Sequence, residues 1–299
     1  MRTEPLIPTG TRAGTGASLA IDLGLRLTLL DLLLRPVGNW ALRPVILGLA
    51  VIGLLRSGWL RHPLFWLALA GLTAIRCVLA WPLADNHAYL LSYWCLAVAL
   101  ALMTRDASRN LAVSGRVLIA LVFVFACLWK FALSENYVGS SFFQVTFLTD
   151  PRFEGFARVA GGLDVATYDE LRSHLEQHRD TPPPWDEESV EIPARIVSLA
   201  VAATLWNLFI NAALAVSFAW PGSGRRLTSL RHLLLLVYCA ITYAVATVDG
   251  FGWLLLAMGA SLCAPQMRRT RLAYMTVFVM VLFYREIPWA DELFLPLFG

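Results

Sequence analysis

The sequence predicts an all-α integral membrane protein: a polytopic helical bundle of about nine transmembrane helices with one long extracytoplasmic loop. Three observations carry that expectation. Apolar runs of helix length recur along the chain with short polar breaks between them. The 299 residues are 58% apolar and only 15% charged, where soluble domains carry ~25% charge. Mean hydropathy is +0.63. Such a composition excludes an ordinary water-soluble enzyme. A net charge of +3 from singly scattered basic residues leaves no electrostatic footprint for nucleic acid. The expected partner is the lipid bilayer.

Residues 1–16 form a polar, Gly/Thr-rich tail. The apolar run behind them carries Asp22, Arg26 and Asp31 and lacks a clean small-x-small cleavage site. It reads as a retained first helix, not a cleaved signal peptide. Helices are expected near 17–34, 38–56, 63–82, 87–103 and 115–133, so that 17–133 is a five-helix membrane part. Four more near 195–220, 231–248, 251–265 and 271–288 make a second part, 195–288, followed by a short tail, 289–299. Pro36, Pro44, Pro63, Pro82, Pro221, Gly222, Gly250, Pro265 and Pro288 punctuate the breaks.

Charge sets the expected orientation. Arginines gather in alternate breaks: Arg56 and Arg61; Arg105, Arg109 and Arg116; Arg225, Arg226 and Arg231; Arg268, Arg269 and Arg271. The other breaks carry Asp85, Asp249 and a tail with Glu286, Asp291 and Glu292; only the first, with Arg35 and Arg43, dissents. Basic loops stay in the cytoplasm. The N-terminus is therefore expected inside, with the C-terminus and the long loop outside.

That loop, 134–194, holds twelve acidic residues against four arginines and is too long for a bare connection. Residues 166–179 read as a helix with Thr167 as N-cap and Glu170 completing a capping box, ended by Pro182–Trp185. Residues 142–158 mix aromatics and charge, the pattern of a segment lying along the outer membrane interface. The plainer reading of the whole loop is a solvated lid with no chemistry of its own.

An ionisable group at membrane depth costs at least ~2.5–3.5 kcal/mol and needs a partner or a task. Asp22 with Arg26, and Asp31 with Arg35, are spaced one helical turn apart for mutual neutralisation. Arg76, toward the outer end of the third helix, either snorkels to the interface or holds an anionic ligand. Asn207 and Asn211 share a face of the sixth helix and are expected to bond to neighbouring helices. Cys77, Cys95, Cys127, Cys239 and Cys263 form no C-x-x-C pair; they read as small apolar helix residues, and no metal site is expected. Trp59, Trp81, Trp220 and Trp289 form interface belts.

Every basic residue except Lys130 is arginine. Lys130 closes the apolar run Val117 to Trp129. A snorkelling anchor is one reading, yet arginine snorkels equally well. Retaining a lone lysine points to a task that a guanidinium cannot perform. An amine withdrawn from water can give up its proton and act as a general base, whereas arginine stays charged. The second cluster is Asp85–Asn86–His87 at the outer start of the fourth helix. Asp85 or Asn86 can cap that helix, and His87 in its first turn sits where the helix dipole favours neutral imidazole. Lys130 ends the fifth helix on the side where His87 starts the fourth. Antiparallel neighbours joined by a short inner break are expected to bring the two close.

These residues carry a resemblance. The stretch 81–109, WPLADNHAYLLSYWCLAVALALMTRDASR, followed by VFVFACLWKF at 122–131, resembles the membrane part of vitamin K-dependent gamma-carboxylase. It is similar also to the bacterial proteins that share the horizontally transferred transmembrane (HTTM) domain. The family's Asn-His-x-Tyr-Leu is matched by Asn86, His87, Tyr89 and Leu90. Its Asp-Ala-x-Arg is matched by Asp106, Ala107 and Arg109, and its Ala-x-x-x-Lys by Ala126 and Lys130. Residues 249–265, DGFGWLLLAMGASLCAP, resemble a late family helix.

The resemblance implies a lyase-type carboxylase chemistry. Its lysine deprotonates reduced vitamin K or a similar hydroquinone. Reaction with O2 yields a strong base that takes a γ-proton from a glutamate, and CO2 adds to the carbanion. On that basis Lys130 is the base, His87 the assistant and Asn86 a positioning donor; Arg76, through its reading as an anion holder, and Tyr89 are the expected cofactor-binding residues. A water-poor pocket suits such chemistry. The substrate is then a peptide or a small carboxylate. Two departures stand out. Cys127 occupies a place where the family often has glycine, which narrows close backbone approach. The animal enzyme carries a large soluble domain after its membrane helices, whereas this sequence ends at Gly299, so propeptide-directed carboxylation is not expected. A catalytically silent HTTM scaffold and a quinone-linked oxidoreductase subunit or carrier remain open alternatives.

Overall fold

The structure, a computed structural model, describes residues 11–35, 39–82, 84, 86–177, 191–222, 224–245, 248 and 250–286, without the side chains of 11–18, 285 and 286. Asp85, Pro182–Trp185, Asp249 and Trp289, together with the C-terminal tail and most of the N-terminal one, lie outside the described residues. Among the described residues the protein is all helical, with no strand. The order is α1 (Thr11–Leu34), α2 (Leu42–Leu55), α3 (Ser57–Leu60), α4 (Pro63–Leu79), α5 (Asn86–Leu102) and α6 (Ala107–Cys127), which runs on into a π-helical turn, Leu128–Ala132. The loop region holds α7 (Glu135–Val138), α8 (Ser141–Thr149), a 3-10 turn at Pro151–Phe153, α9 (Glu154–Gly161) and α10 (Val165–Gln177). Then come α11 (Ala194–Ala219), α12 (Arg225–Val245), α13 (Phe251–Ser261) and α14 (Arg268–Glu286).

Three of these helices are long and apolar enough to cross a membrane: 107–132 and 194–219, of 26 residues each, and 225–245, of 21. At 1.5 Å per residue they reach about 30–40 Å, the thickness of a hydrocarbon core. Only 28–33% of their apolar windows is buried. Val117, Leu121, Val124 and Phe125 on α6 and Leu205, Phe209 and Val216 on α11 point outward instead. Water would not tolerate that much exposed apolar surface, and lipid would. Shorter apolar helices are α2, α4, α5 and α13. α6 and α12 begin six to eight residues before the expected apolar edge, because a helix closes its backbone hydrogen bonds regardless of side-chain polarity. Asp106 caps α6: its Oδ1 accepts the Arg109 N–H at 3.1 Å.

The chain divides into two compact units: residues 1–120, 218–239 and 248–279 form the first, and 121–217, 240–247 and 280–299 the second. In the first, α13 is buried from Gly252 to Ser261 and lies against α1. Contact is close enough that a Cβ at Gly24 would stand 1.8 Å from Ser261 Oγ, the small-residue packing membrane helices use. The Thr28 hydroxyl donates to Gly24 O at 2.8 Å and accepts from Trp94 Nε1 at 2.9 Å, tying α5 to α1.

The expected Asp31–Arg35 pair forms, fully buried, at 2.8 Å. Arg35 Nη2 also donates to Gly250 O at 2.7 Å. Gly250 has φ +82°, and a Cβ there would fall 2.2 Å from Arg35 Nε, so only glycine fits. The expected Asp22–Arg26 pair is corrected. Asp22 instead takes both Nε and Nη2 of Arg61, at 2.8 Å each. A fork of two parallel bonds from a residue just after α3 outcompetes a single flexible neighbour on the same helix.

The second unit gives the loop region its own core. Phe143, Phe147, Phe153, Ala157, Tyr168 and Leu171 are buried together with Ile196 and Ala200 of α11. The Phe147 ring lies 5.3–5.6 Å from those of Phe143, Phe153 and Phe156. Within residues 142–158, Phe143, Phe147, Leu148, Phe153 and Ala157 turn into this core, while Phe142 and Val145 stay exposed. The capping assignment is corrected as well. α10 starts at Val165, and Asp164 Oδ1 accepts the Thr167 N–H at 2.7 Å. Asp164 is the cap and Thr167 the third helical residue, since a carboxylate serves the positive helix end better than a hydroxyl.

Candidate functional site

Lys130 is the centre of the π-helical turn Leu128–Ala132. One residue is taken up in the wider turn, so the side chains after Cys127 leave the regular face of α6. Such interruptions occur disproportionately at functional sites. Lys130 is half-buried, while its neighbours Leu128, Trp129, Phe131 and Leu133 are 50–64% exposed. The amine is thus drawn inward from an apolar rim.

Two groups of the same unit receive it. Nζ donates to Oδ1 of Asn207 on α11, and it stands 5.0 Å from the centroid of the Tyr137 ring on α7. Asn211, one turn along α11, donates from Nδ2 to the same Asn207 oxygen at 2.7 Å. Two donors thus converge on the Asn207 carbonyl oxygen, which faces the lysine. Tyr137 packs against Phe142 and Phe143, centroids 5.0 and 5.4 Å away, tilted to the first and edge-on to the second, and so joins the site to the aromatic core. Burial holds the Tyr137 phenol well above its ordinary value, which keeps it a neutral hydroxyl.

Among the described residues no carboxylate stands within ion-pair distance of Nζ. This matters chemically. A carboxylate would fix the ammonium, whereas an amide oxygen accepts an N–H from either protonation state. A neutral amine donating one N–H to Asn207 keeps its lone pair available for a proton.

The other sequence-selected residues lie in the first unit. Asn86 is the exposed first residue of α5, and His87 follows it half-buried in the first turn. The His87 ring centroid is 6.3 Å from that of Phe251, the first residue of α13. Tyr89 is half-buried on α5. Arg76, on α4, acts electrostatically on the Asp31 carboxylate and so has an acidic counterpart within the protein. Lys130 belongs to the second unit and His87 to the first. Asn207, expected to bond to a neighbouring helix, does so as Lys130's polar partner, and Tyr137 joins the site without a motif that announces it. The visible signal for Asn207 was an amide pair inside an apolar run; for Tyr137 it was proximity in sequence to the lone lysine. All five cysteines are free thiols. Among the described residues no group of three or more His, Cys, Asp or Glu side chains could hold a metal. Comparison with protein-family models, with curated proteins and with solved structures gives no match to this chain.

Proposed function

We propose that the protein is a multi-pass membrane enzyme of about nine spans, N-terminus inside, in which Lys130 serves as a proton-accepting amine toward a lipid-soluble hydroquinone. The observation that carries this reading is the uncharged cradle of Lys130: an amide oxygen and an aromatic face, with no acid in reach among the described residues. The span count is supported by helices in each of the nine apolar runs, and the orientation by the alternation of arginine-rich and acidic breaks.

The donor set suits a hydroquinone. Exposed Trp129 and Phe131 offer aromatic surface at the lipid side, and Lys130, Asn207 and Tyr137 offer polar groups for its hydroxyls. When bound, such a cofactor supplies, with oxygen as oxidant, the basicity that carboxylation by carbon dioxide requires. Lys130 takes a hydroxyl proton onto Nζ and carries it as the ammonium, which the Tyr137 ring and Asn207 oxygen stabilise without trapping it. Asn207 is a positioning residue, fixed in turn by Asn211. The resemblance to vitamin K-dependent gamma-carboxylase would give His87 an assisting role and Asn86 a positioning one, and Arg76 and Tyr89 are further candidates for cofactor binding.

The test is oxygen-dependent consumption of a reduced naphthoquinone by the purified protein, with Lys130→Arg beside the parent. A silent scaffold or carrier would consume none.

A further inference from the structure

Within the first unit, one face gathers arginines around a cavity of about 220 Å³. Arg109 and Arg116, two turns apart on α6, line it together with Thr228, Arg231 and His232 of α12, and Ala112, Val113 and Leu262 give it an apolar wall. Exposure falls from mouth to floor. Arg109 is exposed, Arg116 half-buried, and Arg231 and His232 are only 6% and 4% exposed.

The floor is built, not merely crowded. Arg231 Nη2 donates to Trp220 O at 2.6 Å, holding the end of α11, and His232 Nδ1 bonds the Tyr274 hydroxyl at 2.8 Å. Among the described residues neither Arg109 nor Arg116 has an acidic partner within ion-pair distance. Arg109 and Arg116 thus bring positive charge to the cavity with no carboxylate paired to it among the described residues, and Arg116 and Arg231 repel each other electrostatically. An oxyanion removes that repulsion, and forked guanidinium donors suit phosphate oxygens. The apolar wall adds a surface for the carbon attached to such a group.

We infer that this pocket binds a phosphate group carrying an organic substituent, with Arg109, Arg116 and Arg231 as its ligands and the Thr228 hydroxyl as a further donor. The proposal is independent of the chemistry at Lys130. The phosphate can belong to an anionic lipid headgroup, for which basic pockets on the arginine-rich side of membrane helices are suited, or to a soluble phosphoester.

The full-length protein, purified in neutral detergent and stripped of lipid, is titrated with phosphatidylglycerol, phosphatidylcholine, glycerol phosphate and inorganic phosphate, with binding read by native mass spectrometry and thermal shift. The expected result is at least tenfold preference for phosphatidylglycerol over phosphatidylcholine, or saturable binding of glycerol phosphate. The first alone assigns the lipid source, and the second with no lipid preference assigns the soluble one. Arg109→Gln with Arg116→Gln should weaken the binding at least tenfold while leaving the ligand-free melting temperature in place. Should that variant fail to fold, competition by glycerol phosphate against phosphatidylglycerol on the parent protein decides alone. Equal retention of both lipids with no response to either phosphate, or a folded double variant that binds like the parent, overturns the inference.

Discussion

Lys130 Nζ donates to the side-chain oxygen of Asn207, joining the π-helical turn at the end of α6 to the middle of α11 across 77 positions of sequence. The partner is neutral, and that neutrality separates this lysine from the buried Asp31–Arg35 pair, where each charge exists to cancel the other.

Asn207→Leu removes the acceptor and frees the amine to swing. A hydrogen bond to such a group is worth ~1.5–3 kcal/mol, so turnover of hydroquinone should fall about 10- to 150-fold. Asn207→Asp should do no better, because the new carboxylate pairs with the ammonium and stops it accepting protons at neutral pH. Steady-state rates with a pH profile for both variants check this. An unchanged profile in Asn207→Asp would show that the amide merely fills space.

Tyr137→Phe keeps the ring beneath Lys130 and should retain most activity. Tyr137→Leu loses the ring face, worth ~0.5–2 kcal/mol, and should lose about 2- to 30-fold. The comparison of the two rates separates the ring from the hydroxyl.

Gly250→Ala should destabilise the first unit. Positive φ alone costs a side chain about 1–2 kcal/mol, and the methyl also displaces Arg35 from its place beside Gly250 and Asp31. Gly48→Ala is the control, because a Cβ there meets nothing within 4 Å and alanine favours a helix. Thermal unfolding in detergent should show a lower midpoint for the first and an equal or higher one for the second.

Asp164 gives a pH prediction. The Thr167 N–H bond holds its carboxyl below the ordinary value. Its contribution to the start of α10 is therefore full above the ordinary carboxylate range and is lost as pH falls through the lower folded value. Amide exchange at Thr167 should quicken in acid relative to the rest of α10, and Asp164→Ala should show that rapid exchange already at neutral pH.

The fold was legible where the signal is local. Apolar runs located the long helices, and Asp31 found Arg35 because one helical turn separates them. Long-range choices were hidden. Asp22 prefers Arg61, a competition that no spacing rule reveals, and Phe143, Phe147 and Phe153 meet inside a core that only tertiary structure creates. The capping error has a simple origin, since Asp164 stands three residues before Thr167 and either can cap by composition. At the candidate site, the solitary lysine and the two asparagines could be picked out, but the π-helical turn that aims Lys130 leaves no mark in the sequence.

The most direct measurement compares Lys130→Arg with the parent for oxygen-dependent oxidation of a reduced naphthoquinone in purified, membrane-reconstituted protein. Arginine keeps the positive charge and can still donate to Asn207, so the variant should insert and fold normally. It cannot surrender its proton, so turnover should fall by at least a thousandfold. A correctly folded arginine variant that turns over at the parent's rate, or a parent that consumes no hydroquinone, would contradict the account.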